Sequence, residues 1–174
     1  PSGATLELAR RARQMGVTLH TGVRVTGIQR APRGAVTGVH TEHGAIRTEV
    51  VINAGGMWAG QIGAMVGINL PITPLIHQHL TTKPIPGQEL PRTTPCLRDP
   101  ENLVYLREEV GGFLIGGFEK NPVAWAVDGV PWDFTQRLLS PDWELFGEIL
   151  EGAIRRVPIL AKAESAHLVN GPEG

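Results

Sequence analysis

Residues 49–59 read Glu49-Val50-Val51-Ile52-Asn53-Ala54-Gly55-Gly56-Met57-Trp58-Ala59. The run 49–54 is largely apolar and lacks the alternation of a half-exposed strand. That pattern predicts a central strand buried on both faces of a parallel sheet. Gly55-Gly56 then turns the chain into a helix that starts at Met57-Trp58-Ala59, runs to about Val66 and stops at Gly67. A strand, a glycine turn and a helix start place backbone N–H groups where a phosphate or ribose can meet them. The spacing falls short of G-x-G-x-x-G, and a purely structural turn uses the same residues. Trp58 fits the core or the border of a cofactor equally well. Pattern alone leaves both readings open.

Toward the N-terminus, Ala4, Leu6, Leu8, Ala9, Ala12 and Met15 recur at helical spacing and Gly16 closes the run, which predicts a helix. Arg10, Arg11 and Arg13 sit late in it, where cations complement the negative end of the helix dipole, and read as a solvated face. Short strands follow over 17–20, 23–28, 35–41 and 45–48, the last two forming a hairpin around Glu42-His43-Gly44. Toward the C-terminus the texture changes: prolines at 71, 74, 84, 86, 91 and 95 punctuate short apolar runs, marking a second subregion. Residues 76–82 read as a strand, and 103–107 with 113–118 as a hairpin around Glu108 to Gly112, so an antiparallel sheet is expected. Ser140-Pro141-Asp142 opens a helix with Trp143, Leu145, Phe146, Ile149, Leu150 and Ile154 apolar, ending before Pro158. Residues 166–169 are strand-like and run into Asn170-Gly171-Pro172. The fold class is therefore mixed α/β, of the α+β kind.

The composition is that of a soluble globular chain: 174 residues, 41% hydrophobic, 19% charged, with Gly and Pro together about a fifth of the total. Sixteen Lys and Arg against 17 Asp and Glu, without a basic block, argue against a nucleic-acid or anionic-membrane partner. Cys96, the single cysteine, forms no internal disulfide, and no apolar run reaches the roughly 18 residues of a membrane span. A cytoplasmic address is expected, or the mitochondrial matrix in a eukaryote. The start at Pro1 and the turn-rich end at Asn170 to Gly174 read as those of an internal piece of a longer protein.

Few residues stand out for chemistry. His77 and His79, two apart on one predicted strand, are assigned to opposite faces, so that at most one of them enters a given pocket, and no metal site is expected. Either imidazole is a candidate proton acceptor. Tyr105, the only tyrosine, lies in an apolar strand with Arg107 on the same face, and a buried phenol needs a hydrogen-bond partner. A His–Tyr pair is one such arrangement; a half-buried strand tyrosine is the other. Glu119-Lys120, Asp99 and Glu101 read as loop charges, and Cys96 has no local histidine to activate it.

The string Val50 to Ala59 resembles the V-N-A-x-G-x-W-A segment of the D-amino-acid-oxidase-like family of FAD enzymes. Leu97-Arg98-Asp99 to Tyr105-Leu106-Arg107-Glu108, then Gly116-Gly117-Phe118-Glu119-Lys120-Asn121-Pro122, then Asn170-Gly171-Pro172-Glu173 resemble its dimethylglycine and sarcosine dehydrogenase branch. The resemblance implies part of a Rossmann-like FAD-binding domain over 1–68, an antiparallel-sheet substrate domain over 69–163, and a return strand to the FAD-binding domain over 164–174. The family's N-terminal G-x-G-x-x-G unit, which anchors the FAD pyrophosphate, is not found in these residues.

By the same resemblance, the backbone of Val25 matches a position near the adenine. Ala54, Gly55, Gly56 and Trp58 match the cofactor-adjacent turn, and Gly171 and Pro172 the segment near the flavin ring. The family's H-Q-Y strand stands here as His77-Gln78-His79, and its Y-L-R strand as Tyr105-Leu106-Arg107. His77 and Tyr105 are thereby implied as catalytic and Arg107 as the candidate for a substrate carboxylate. The implied activity is FAD-dependent oxidation of a small N-methylated amino acid by hydride transfer, with an unknown electron acceptor. The family also implies tetrahydrofolate as a one-carbon acceptor on a separate C-terminal domain. A non-catalytic regulatory subunit, like that of pyruvate dehydrogenase phosphatase, shares the Gly-Gly-Phe-Glu-Lys-Asn-Pro string and is the rival reading.

Overall fold

Alternating and apolar runs separated by glycine and proline turns build two antiparallel sheets. The computed structural model describes residues 2–173 and divides the chain into two units, one of residues up to 54 with 62–68, the other of 55–61 with 69 onward.

The first unit holds helix α1 (Ser2–Gln14) and the strands β1 (Val25–Arg30), β2 (Val36–Thr41) and β3 (Gly44–Arg47), which form an antiparallel meander in that order. The expected hairpin is β2–β3, with Thr41 opposite Gly44. Residues 17–20 form no strand. The run 49–54 belongs to neither sheet, contrary to the central strand expected there, and Val50 and Ile52 are 72% and 86% exposed. A strand buried on both faces requires neighbours on both edges, and none of the described strands flanks this one. After it, Gly56–Trp58 makes one 3-10 turn and α2 (Ala59–Ala64) follows, starting two residues after the expected Met57 and ending two before the expected Val66, with Gly67 at φ 75° beyond its end.

In the second unit, β4 (Leu75–Thr82), β5 (Leu97–Asp99), β6 (Val104–Glu109), β7 (Gly112–Gly117) and β8 (Ser165–Glu173) form one sheet in the order β5-β6-β7-β4-β8, each neighbour antiparallel. Pro172 lies on the edge strand, where its missing N–H costs least. The helix α3 (Trp143–Arg156) covers one face of this sheet; its Phe146, Ile149 and Ala153 are fully buried in the cluster that holds Leu80, Val104, Leu106, Ile115 and Leu168. Asp142 caps α3 by accepting a hydrogen bond from the Leu145 N–H at 2.9 Å. Gln78, fully buried in β4, donates to the Asp142 carbonyl at 2.9 Å and accepts from the Asp142 N–H at 2.8 Å. Its neighbour in register, Asn170 of β8, donates to the Ser140 carbonyl at 2.7 Å. The strand carrying both histidines is thus fastened to the start of α3 from below.

The β6–β7 hairpin turns through Val110 and Gly111, both at positive φ (51° and 79°), the geometry that matches strand twist. A β-branched residue at positive φ costs about 1–2 kcal/mol, and Val110 is 82% exposed, so its side chain recovers little by packing. Val110→Asn is therefore expected to raise stability by about 1 kcal/mol, read as a thermal midpoint several degrees higher. An unchanged or lower midpoint would refute this account of the turn.

Candidate functional site

The face of the five-stranded sheet opposite α3 collects the chemistry-bearing side chains. Along β4, burial alternates so that Gln78, Leu80 and Thr82 face the buried side, where Leu80 joins the α3 core, while His77, His79 and Thr81 share the other face. This corrects the expectation that His77 and His79 diverge: side chains two apart on a strand point the same way. Across the sheet, Arg98, Tyr105, Gly116, His79 and Val169 stand in one register row, and His77 is opposite Gly171.

Gly116 decides where the phenol goes. A Cβ built there would lie 2.1 Å from Tyr105 Cζ and 2.2 Å from its hydroxyl, so the ring rests on a strand position that only glycine can occupy. Tyr105 thereby reaches over β7 toward β4. Phe118 links the parts, stacking on His77 with centroids 4.9 Å apart and lying 6.3 Å from the Tyr105 ring, while the Arg98 guanidinium sits 5.8 Å above its centroid. Sequence reading passed over Arg98, Gly116 and Phe118. The Gly116-Gly117 pair was the signal for a close approach, but its meaning appears only once β6 and β7 are in register.

Glu119, expected as a loop charge, does lie in the loop after β7, but its side chain is buried rather than solvated. Its side chain is 5% exposed, Oε2 is 3.6 Å from His77 Nδ1, and Oε1 is buried without a hydrogen-bond partner among the described residues. Lys120, the adjacent cation, pairs instead with Glu148 at 2.6 Å. Arg107, two positions from Tyr105 on the same face, pairs with Glu109 at 2.5 Å and donates to the Glu108 carbonyl at 3.2 Å.

His79 is held below its ordinary value of 6.5, first by burial, which strips water from the cation, then by repulsion from His77 and Arg107; Glu109 acts the other way. Because the unfolded chain binds this proton more readily, stability falls as pH drops from 6.5 through the lowered folded value, and the contribution vanishes above 6.5. His79→Gln is expected to flatten the fall in urea-unfolding stability between pH 7 and 5. Identical slopes for both proteins would contradict it.

The residues matched to a cofactor are distributed over both units. Val25 opens β1 opposite Thr41, and Ala54 is exposed; both belong to the first unit. In the second, Gly55 precedes the 3-10 turn, Gly56 has φ 52°, and the Trp58 indole N–H donates to the Pro131 carbonyl at 3.1 Å. Gly171 and Pro172 lie on β8 opposite His77 and Ile76.

Residues 1–171 match the FAD dependent oxidoreductase (DAO) family, and the chain belongs to it. Among curated proteins, dimethylglycine dehydrogenase of Rattus norvegicus is 38% identical over 99% of this chain and sarcosine dehydrogenase of Homo sapiens 37% over 99%, both mitochondrial. The pyruvate dehydrogenase phosphatase regulatory subunit of Mus musculus is 35% identical over 97%. The chain spans about a fifth of the length of these relatives (21%, 19% and 19%). Among solved structures, L-proline dehydrogenase of P. horikoshii superposes with a TM-score of 0.74 at 27% identity, over 97% of this chain and 42% of that one. The mixed α/β architecture with antiparallel sheets is that of the family. Among the described residues no helix is long and apolar enough to cross a membrane.

Proposed function

We propose that this chain is the substrate-facing portion of an FAD-dependent amine dehydrogenase that oxidises a small N-methylated amino acid. The observation that carries the reading is the single sheet face on which His77, Phe118 and Tyr105 cluster, with Gly171 directly across from His77. When bound, FAD would supply the hydride acceptor for the N-methyl carbon, and the substrate iminium, taking up water, would give formaldehyde and the demethylated amino acid.

The chain's own contribution is to bind the amine and handle its proton. An ammonium has no lone pair to assist loss of hydride from the adjacent carbon, so the nitrogen must be neutral when the C–H bond breaks. His77, largely buried, takes that proton, and the Tyr105 hydroxyl, brought over Gly116, orients the amine by hydrogen bonding. Arg107 supplies the cation for the substrate carboxylate, with Arg98 a second positive group on this face. Gly171 and Pro172 would border the flavin ring, since glycine opposite His77 leaves the sheet without a side chain there. Within the second unit, Gly55, Gly56 and Trp58 would contact the rest of the cofactor. The turn at Gly55-Gly56 leads only to a 3-10 turn and a six-residue helix, too short to serve as a phosphate-binding helix end, so the pyrophosphate anchor is assigned to residues outside this chain. Transfer of the released carbon to tetrahydrofolate, and a matrix location like that of the mitochondrial relatives, are parts of the same proposal.

The similarity to a phosphatase regulatory subunit supports a second reading, a flavoprotein-like chain without turnover. Anaerobic addition of sarcosine or dimethylglycine to the flavin-containing protein that carries this segment separates the two. Bleaching of the flavin band is expected; a bound flavin that stays oxidised with every N-methylated amino acid would favour the regulator.

A further inference from the structure

We infer that Glu119 is a positioning residue: its buried carboxylate holds the His77 imidazole with Nδ1 protonated and leaves Nε2 as the proton-accepting nitrogen. The inference rests on the reading of His77 as the group that neutralises the substrate amine.

Four observations carry it. The Glu119 side chain is 95% buried, yet among the described residues its Oε1 has no hydrogen-bond partner, and a buried carboxylate oxygen left unpaired calls for an explanation. The other oxygen lies 3.6 Å from Nδ1, a few tenths of an ångström beyond hydrogen-bond length. The only cation beside it in sequence, Lys120, is engaged by Glu148 on α3, so the carboxylate is not there to complete a lysine ion pair. Phe118, the residue before Glu119, stacks on the same imidazole at 25° between planes, so two consecutive residues grip one ring, one by its face and one by its edge. An imidazole nitrogen that donates to a carboxylate cannot also accept, so the acceptor is set at the other nitrogen, Nε2, against the preference of a free ring. Burial of the carboxylate keeps water from competing for that N–H.

The test uses two substitutions with different hydrogen-bonding power. Glu119→Gln keeps an oxygen acceptor at the same reach; Glu119→Leu removes it while filling the space. In long-range proton–nitrogen spectra of the full chain, the neutral His77 ring is expected as the Nδ1–H tautomer in the wild type and in Glu119→Gln. In Glu119→Leu it is expected to shift toward the Nε2–H form that water favours. In the flavin-containing protein, flavin reduction by sarcosine is expected to slow by on the order of 10- to 100-fold in Glu119→Leu and by less than about 3-fold in Glu119→Gln. The same tautomer in all three proteins would overturn the inference, as would equal slowing by both substitutions. If the wild-type flavin fails to bleach, the proposed activity fails, while the imidazole spectra still decide the role of Glu119.

Discussion

Gln78→Leu is expected to cost about 2–4 kcal/mol of unfolding free energy, although leucine matches the volume of glutamine and the position is fully buried. The amide makes two hydrogen bonds to the backbone of one residue, donating to the Asp142 carbonyl and accepting from its N–H. Leucine removes both partners at once. Each deprived backbone group costs about 1–3 kcal/mol, and water reaching the exposed side of Asp142 keeps the sum toward the lower end. The loss falls where α3 begins, because Asp142 also caps the helix through Leu145. Urea unfolding measures it directly, with a cost below 1 kcal/mol as the result that would show the clamp to be incidental. Its bearing on function is geometric: Gln78 sits between His77 and His79, so the bond that seats β4 on α3 from below also fixes the height of both imidazoles above.

Gly116→Ala is expected to slow flavin reduction by roughly 100-fold with the fold retained, since a misplacement of about 1 Å in a reacting site carries a penalty of that order. The alanine methyl would begin 2.1 Å from Tyr105 Cζ, so the ring must leave the surface of β7. Because Tyr105 is the only tyrosine of the chain, a tyrosine-specific isotope label reports the displacement within these residues as one shifted ring signal. An unshifted ring, or a rate within about 3-fold of wild type, would show that the phenol does not depend on this contact.

How much of this the amino-acid order discloses varies by kind of feature. The helix α3 was legible because its opening Ser140-Pro141-Asp142, its apolar spacing and the proline that follows are all local. So was the β6–β7 hairpin, whose two runs lie within a dozen residues of each other. Residues 49–54 misled because an apolar run reports what a segment would bury, not whether the strands that would bury it are present; Val50 and Ile52 are exposed. At the site, the family resemblance nominated His77 and Tyr105, but their common approach to Phe118 follows only once the β4–β7 pairing joins His79 to Gly116 across long sequence separation. Glu119 was missed for the same reason: next to Lys120 it looks like a solvated pair, until the lysine is found on Glu148 and the carboxylate beside His77. The shared face of His77 and His79, by contrast, was already implicit in the two-residue repeat of a strand.

The central claim is that His77 and Tyr105 act on one substrate from one face of the sheet. The rate of anaerobic flavin reduction by sarcosine or dimethylglycine, followed by rapid mixing in His77→Asn, Tyr105→Phe and the double variant, tests it most directly. Each single change should slow reduction by on the order of 10- to 1000-fold, and the double variant should lose much less than the product of the two, as groups that work as a unit do. Wild-type rates in either single variant, or losses that multiply independently, would contradict it.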